Sequence, residues 1–210
     1  MPYIPVPRPL SLPHRVTATV ERLERQYLRE VHVMLRLPIP NYRLSSDCVF
    51  SCAQTLLSII GGASTLLYAH RDSSPGKDFK ALLLDFYPWD EEPNLSVTAS
   101  EAARIIYEVF RNPLAHNLGA HVRPRLPTPL VKLKRARRRD RSGGLSERSI
   151  ESLERPTRPL NMLPAITVRP GDATVLFIEP LYWGIRAMLT KLLRDNGRMA
   201  QAETFLAKVR

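Results

Sequence analysis

Apolar positions repeat at helical spacing through most of the chain, which predicts a set of amphipathic helices. The longest such run covers residues 15–37 and ends at Pro38 and Pro40, because proline interrupts the hydrogen bonding of a helix. Its predicted apolar stripe contains Val16, Val20, Leu23, Tyr27, Val31 and Leu35. Its predicted water-facing side contains Glu21, Arg22, Glu24, Arg25, Arg29 and Glu30.

A second run, residues 48–70, contains no formally charged side chain and is long enough to span a bilayer. Gln54, several hydroxyl side chains and the pair Gly61-Gly62 interrupt it, however. A central helix of a water-soluble bundle has the same composition, because it is surrounded by other helices. We therefore expect a core helix and no membrane association.

Further elements follow along the chain. Ser74 and Pro75 are typical of a helix start, and Thr98 followed by Glu101 has the form of a capping box. Alternating apolar residues on both sides of a Pro-Gly-Asp turn predict a small β-hairpin within residues 165–177. Two helices are expected between residues 180 and 209.

These elements predict an all-α helical bundle with at most one small hairpin. Hydrophobic residues make up 44% of the 210, which is enough for a packed core. The predicted parts are a proline-rich arm at 1–13, a helical core at 14–121, a basic insertion at 122–164, and a hairpin with C-terminal helices at 165–210 that complete the core.

Positive charge is concentrated in one segment. The chain carries a net charge of +11, and residues 121–160 contain 12 Lys or Arg against 4 Asp or Glu, a net +8. The segment is rich in proline and lacks aromatic residues, so we predict that residues 122–164 are disordered. They form either a solubilising loop or, the hypothesis we favour, an arm that binds RNA phosphates. The candidate RNA-binding residues are Lys132, Lys134, Arg135, Arg137, Arg138, Arg139 and Arg141.

Cys48 and Cys52 lie four residues apart in the predicted core helix. A structural zinc site needs four ligands, and no second Cys or His pair lies nearby. We interpret both cysteines as apolar core residues of a protein in the reducing cytoplasm, and we expect no metal and no cofactor.

The helix that begins at Thr98 ends in the hexad Arg-Asn-Pro-Leu-Ala-His, residues 111–116. On a straight α-helix, Arg111 and His116 would point about 140° apart. Pro113 changes this geometry, either by kinking the helix or by starting a new turn with Asn112 as its N-cap. The alternative is that Arg111 is a surface charge, Asn112 a cap and His116 an ordinary helix-end histidine.

This hexad resembles the Arg-x4-6-His signature of the HEPN superfamily (higher eukaryotes and prokaryotes nucleotide-binding), whose members are helical bundles that include metal-independent ribonucleases. The similarity covers residues 98–118 and, by helix order, extends over 14–118 plus 172–208. It implies that Arg111, Asn112 and His116 are catalytic, that two copies complete one site, and that the context is a toxin or defence system. Leu118 stands where one subgroup has a modified tyrosine, so regulation by that modification is not expected.

Two functional hypotheses follow. In an RNA endonuclease, His116 acts as general acid or base, since an unperturbed histidine side chain titrates near neutral pH, and Arg111 stabilises charge on the phosphate. In the alternative, the chain is a non-catalytic helical module that binds nucleic acid or another protein through its basic insertion. The expected partners are RNA, a second copy of the chain and, less directly, an antitoxin or other regulatory protein.

Overall fold

Most of the described chain is helical. The computed structural model describes residues 3–36, 49–68, 74–112, 114, 130–134, 164–168 and 173–209. The α-helices are α1 (His14–Leu23), α2 (Arg29–Arg36), α3 (Val49–Ala63), α4 (Pro75–Phe86), α5 (Ala99–Ile105), α6 (Ile178–Leu193) and α7 (Asn196–Leu206). Wide π-helical turns follow α1, α3 and α5, at Glu24–Leu28, Ser64–Tyr68 and Ile106–Arg111. The prediction of a mainly helical fold is confirmed.

Helix α3 lies at the centre of the bundle, where it contacts α2, α4 and α6. Its buried side chains are Cys52, Ala53, Leu56, Leu57, Ile59, Ile60 and Ala63. Residues Val49–Tyr68 are also long and apolar enough to cross a membrane. Packing against three neighbouring helices gives this run a different explanation, because the side chains that make it apolar form the core.

The π-helical turn Glu24–Leu28 changes which residues of the first helix face the core. Tyr27 was predicted on the apolar stripe but is 38% exposed, while Leu28 is fully buried. Glu24 was predicted to face water but is buried. The two predictions are wrong because a π turn adds one residue to the helical repeat and moves the stripe by one position.

The N-terminal arm, residues 3–13, has no helix or strand except a turn and packs on the bundle. Val6 is buried. The hydroxyl of Tyr3 and the backbone N–H of Val6 both donate to the Glu24 carboxylate. The guanidinium of Arg186, on α6, donates to the carbonyl of Ile4 at 2.8 Å. The arm is therefore attached by buried polar contacts that the sequence did not predict.

A three-stranded sheet completes the described fold, with strand order β1-β3-β2. The predicted hairpin is confirmed: β2 (Ile166–Val168) pairs antiparallel with β3 (Ala173–Phe177). On the other edge, β1 (Leu130–Lys134) pairs parallel with β3. These five residues were expected to be disordered, and that expectation is wrong for them. From Val131 to Lys134 apolar and polar residues alternate, as in a strand, and β3 offers them a free edge. The rest of the basic insertion up to residue 163 lies outside the described residues.

Candidate functional site

Helix α5 precedes the motif, and its start is fixed by the predicted N-cap. Oγ1 of Thr98 accepts a hydrogen bond from the backbone N–H of Glu101 at 3.2 Å. The Glu101 carboxylate accepts from Arg104, at 2.6 and 2.9 Å, and those hydrogen bonds hold the pKa of Glu101 below its usual value. The N-cap is confirmed, and the glutamate of the capping box binds a side chain of its own helix.

One face of this helix is anchored in the core. Ala102, Ala103, Ile106 and Phe110 are fully buried. Beyond α5, the π-helical turn Ile106–Arg111 carries the chain to the first residue of the motif. Arg111 is thus half-buried at the end of a firmly packed helix, where its backbone position is fixed by the core.

Asn112 does not have the N-cap role that one of the two predicted geometries required. Its backbone dihedrals, φ −65° and ψ −49°, are helical, whereas an N-cap residue is extended. Its side-chain Oδ1 accepts a hydrogen bond from Nη1 of Arg111 at 3.1 Å. Asn112 therefore orients the arginine. Pro113 and His116 lie outside the described residues, so the approach of His116 to Arg111 stays a prediction.

The electrostatic surroundings of Arg111 differ from those of Arg104, one heptad earlier. Arg104 forms ion pairs with Glu101 at 2.6 Å and with Glu108 at 2.8 Å. Arg111 has no carboxylate partner among the described residues. Its guanidinium carbon lies 5.6 Å from the ring centroid of Tyr107. The charge of Arg111 is therefore available to an anion, whereas that of Arg104 is neutralised.

Arg111 lines a cleft of about 570 Å³. One wall is formed by its own helix and another by α3, and the start of α4 closes one side. The lining residues are Gln54, Leu57, Ser58, Gly61, Gly62, Ser64, Thr65, Leu66, Pro75, Phe79, Tyr107, Arg111 and Leu114. Clefts of this size, about 300–1,000 Å³, are typical of small-ligand sites.

The α3 wall is polar although the helix is otherwise apolar. Gln54, Ser58, Gly61 and Thr65 follow one another at spacings of four, three and four residues, which places them on one face. From the sequence alone, these positions are recognised only as interruptions of the hydrophobic run at residues 48–70. Their helical spacing was the signal that distinguishes a polar cleft wall from a uniformly buried helix.

Tyr107 is positioned by a close contact with α4. A Cβ atom at Gly76 would lie 2.5 Å from the Tyr107 hydroxyl oxygen, so only glycine leaves room for the ring. Phe79 packs against the other side of this contact, with ring centroids 5.2 Å apart and planes at 54°. The two rings form a fixed aromatic wall beside Arg111.

The remaining predicted site residues are only partly placed. Lys132 and Lys134 belong to β1, while Arg135, Arg137, Arg138, Arg139 and Arg141 lie outside the described residues. Within the described residues there is no group of three His, Cys, Asp or Glu side chains able to hold a metal ion. Cys52 is buried in α3, as expected of a core residue, and Cys48 lies outside the described part.

The acidic residues 90–92 connect parts of the fold. Glu92 is buried and accepts hydrogen bonds from the Tyr87 hydroxyl at 2.8 Å and from the backbone N–H of Ala165 at 2.9 Å. Asp90 and Glu91 each lie 3.5 Å from the Lys191 ammonium. These contacts give the three carboxylates structural roles next to the sheet.

Comparison of the chain with protein-family models, with curated proteins and with solved structures finds no match. The chemistry assigned to the chain below follows from its own residues and from the resemblance of its Arg-x4-His motif.

Proposed function

We propose that the protein is a metal-independent RNA endonuclease of the HEPN type. The observation that carries this proposal is the environment of Arg111: half-buried, held by Asn112, without a carboxylate partner in the described chain, and facing a cleft. A guanidinium is a permanent planar cation whose paired N–H groups match two phosphate oxygens. An arginine in such a place is therefore suited to hold a phosphodiester.

In the proposed reaction, a basic nitrogen of His116 takes the proton of the ribose 2′-OH, and the 2′-oxygen attacks phosphorus. The bond from phosphorus to the 5′-oxygen breaks, and a protonated imidazole gives its proton to that leaving oxygen. Arg111 stabilises the negative charge that grows on the non-bridging oxygens. The products are a 2′,3′-cyclic phosphate and a 5′-hydroxyl, with no change in oxidation state.

One histidine cannot be base and acid in the same step unless a second group assists it. A two-fold dimer would supply that group, since symmetry brings a second Arg111 and His116 to the same phosphate. Members of the HEPN superfamily have this arrangement, and we propose it here. The cellular role proposed with it is that of a toxin or defence nuclease in the cytoplasm, with RNA delivered by the basic segment.

The test is cleavage of mixed RNA by the purified full-length chain in EDTA. Cleavage should survive the chelator and should fall by about 10²–10⁴-fold in His116→Ala, the usual contribution of one acid–base group. Arg111→Lys should also lose activity, because lysine keeps the charge without the planar fork. Arg104→Lys is the matched control on the same helix and should cleave normally. Light scattering at micromolar concentration should give the mass of a dimer.

Equal cleavage by wild type and His116→Ala would mean that the activity comes from a contaminant or from another site. A monomer would contradict the shared site. A dimer that cleaves no RNA would favour the non-catalytic binding module, in which the basic segment and the Arg111 cleft bind nucleic acid without cutting it.

A further inference from the structure

We propose that the cleft between α3 and the Arg111 helix holds one nucleotide of the RNA, with its phosphate on Arg111 and its base between the polar face of α3 and the aromatic wall. The inference rests on the proposed function for the choice of RNA as ligand. It goes further by assigning a base-contacting role to Gln54, Ser58, Gly61 and Tyr107.

The cleft offers an anion site and an apolar surface side by side. The guanidinium carbon of Arg111 lies 5.6 Å from the ring centroid of Tyr107, and the buried ring of Phe79 packs against Tyr107 with centroids 5.2 Å apart. A ligand that contacts both features must carry a negative charge next to a flat apolar group. A nucleotide has this combination, and contacts between aromatic side chains and bases are a general means of binding single strands.

The opposite wall supplies hydrogen-bonding groups. The side chains of Gln54 and Ser58 form no hydrogen bond within the described residues, and both line the cleft. A glutamine amide carries donors and an acceptor, and a serine hydroxyl can act as either. Both side chains are therefore able to pair with the edge of a base, where donors and acceptors also alternate.

Gly61 keeps the cleft open. A Cβ atom placed on Gly61 would meet no atom of the described residues within 4 Å, so they leave open space above it. Its carbonyl already accepts from the hydroxyls of Ser64 and Thr65, at 2.8 and 3.0 Å, which fixes the local backbone. Glycine is a poor helix former. In the last turn of α3, Gly61 leaves room that the proposed ligand would occupy.

The chemistry also separates a nucleotide from a bare anion. Inorganic phosphate would use Arg111 alone and would leave Gln54, Ser58 and the aromatic wall without contacts. A neutral apolar ligand would leave Arg111 without a counter-charge. A ligand that contacts all parts of the cleft must therefore be a nucleoside monophosphate. The protein should bind such a nucleotide about tenfold or more tightly than it binds phosphate.

The experiment is calorimetric titration of the full-length protein with each of the four ribonucleoside monophosphates and, separately, with inorganic phosphate. Gly61→Leu should reduce nucleotide affinity by about tenfold or more, because the longer side chain fills the cleft. Gln54→Ala should change the order of preference among the four bases without changing phosphate affinity. Arg111→Ala should weaken both kinds of ligand, and Arg104→Ala neither.

Nucleotides that bind no more tightly than phosphate would overturn the inference, and so would unchanged binding by a folded Gly61→Leu. If Gly61→Leu fails to fold, Gln54→Ala and Ser58→Ala decide, since unaltered base preference in both contradicts the assignment. The outcome is separate from that of the nuclease proposal. Nucleotide binding without RNA cleavage would remove the nuclease alone, and cleavage that is indifferent to Gly61→Leu and Gln54→Ala would remove the nucleotide site alone.

Discussion

Arginines of this protein differ by what surrounds the guanidinium. Arg198 stacks on Tyr68 at 4.2 Å and pairs with Asp85 at 3.2 Å. Arg186 is buried among aromatic rings and donates to backbone carbonyls of the N-terminal arm. Both guanidinium groups have structural partners within the described residues. Arg111 has a neutral amide and an aromatic ring, which orient a guanidinium without neutralising it. This difference, and not its position in a motif alone, makes it the candidate for anion binding.

Tyr68 gives a prediction for the alkaline stability of the fold. Its burial, together with the 2.7 Å hydrogen bond that it donates to Asp85, raises the pKa of Tyr68 to about 12 from 10.0. The folded protein thus keeps the Tyr68 proton at a pH where the unfolded chain has lost it. The resulting stability is fully present below pH 10.0 and is lost as the pH rises towards about 12.

Tyr68→Phe should lower the free energy of unfolding at pH 7 by about 1 kcal/mol, because the hydrogen bond to Asp85 is removed. It should also make the loss of stability between pH 10 and 12 less steep. Burial raises the pKa of Tyr3 and Tyr182 as well, so part of the slope should remain. Urea unfolding at several pH values measures both effects, with the exposed Tyr27→Phe as control. Parallel pH profiles for wild type and Tyr68→Phe would show that Tyr68 ionises at the same pH in the folded and unfolded chains, which would contradict the prediction.

At the scale of elements, sequence periodicity predicted the helices because burial of one face repeats every three to four residues. Periodicity failed where the local structure depends on contacts with residues that are distant in the sequence. The π turn at Glu24–Leu28 brings Glu24 to Tyr3 and Val6 of the arm, and nothing local marks that shift. Strand β1 forms on an edge supplied by β3, about forty residues later, and its short alternation was obscured by the charges around it.

Only part of the candidate site was predictable from the sequence. Arg111 and Asn112 were found from the motif, since their spacing is a property of the sequence. The α3 wall was missed because Gln54 and Ser58 line a cleft only when the π-helical turn Ile106–Arg111 packs opposite them. The hydrogen bond between Asn112 and Arg111 depends on the backbone dihedrals of Asn112. The sequence did not determine those dihedrals, because the following Pro113 allowed two geometries.

The N-terminal arm should contribute to stability as an element. Deletion of residues 1–9 removes the buried side chain of Val6 and the hydrogen bonds that join the arm to Glu24 and Arg186. We expect the free energy of unfolding to fall by about 2–4 kcal/mol, because apolar burial and buried hydrogen bonds are both reduced. Chemical denaturation of the truncated and full chains measures this difference in the free energy of unfolding.

Arg8→Ala is the control within the arm, because its ion pairs with Glu21 and Glu24 are long, 3.6 and 4.0 Å, and partly exposed. Such pairs contribute about 0–1 kcal/mol. A truncated protein as stable as the full chain would mean that the arm only covers the bundle and does not hold it together.

At the scale of the whole molecule, charge and cleft are distributed over different parts of the chain. Residues 121–160 carry a net +8, while the other residues, with 19 Lys or Arg against 16 Asp or Glu, carry a net +3. Strand β1 holds the start of the basic segment beside α3, the helix whose polar face lines the cleft. In the proposed function, a general attraction to phosphate backbones and a local nucleotide site would therefore belong to different parts of the chain.

That separation predicts that affinity and chemistry can be changed independently. The substitutions to make leave β1 and its pairing with β3 intact: Arg135→Gln, Arg137→Gln, Arg138→Gln, Arg139→Gln and Arg141→Gln together. RNA binding should weaken, and the slope of log affinity against log salt should become shallower by about 0.7 for each phosphate of a single strand that the variant no longer neutralises. The melting temperature and the cleavage rate at saturating RNA should not change. Filter binding at several salt concentrations and single-turnover cleavage measure the two quantities.

The matched control removes five positive charges from exposed positions elsewhere, with Arg22→Gln, Arg25→Gln, Lys77→Gln, Arg194→Gln and Lys208→Gln in one chain. If binding depends on the basic segment specifically, this control should shift the salt slope far less than the five substitutions do. A similar shift in both would mean that RNA responds to net charge alone, because long-range attraction depends on total charge and not on its location. A lower cleavage rate at saturating RNA in the five-fold variant would place the segment within the reacting complex, and the division between attraction and chemistry would then be wrong.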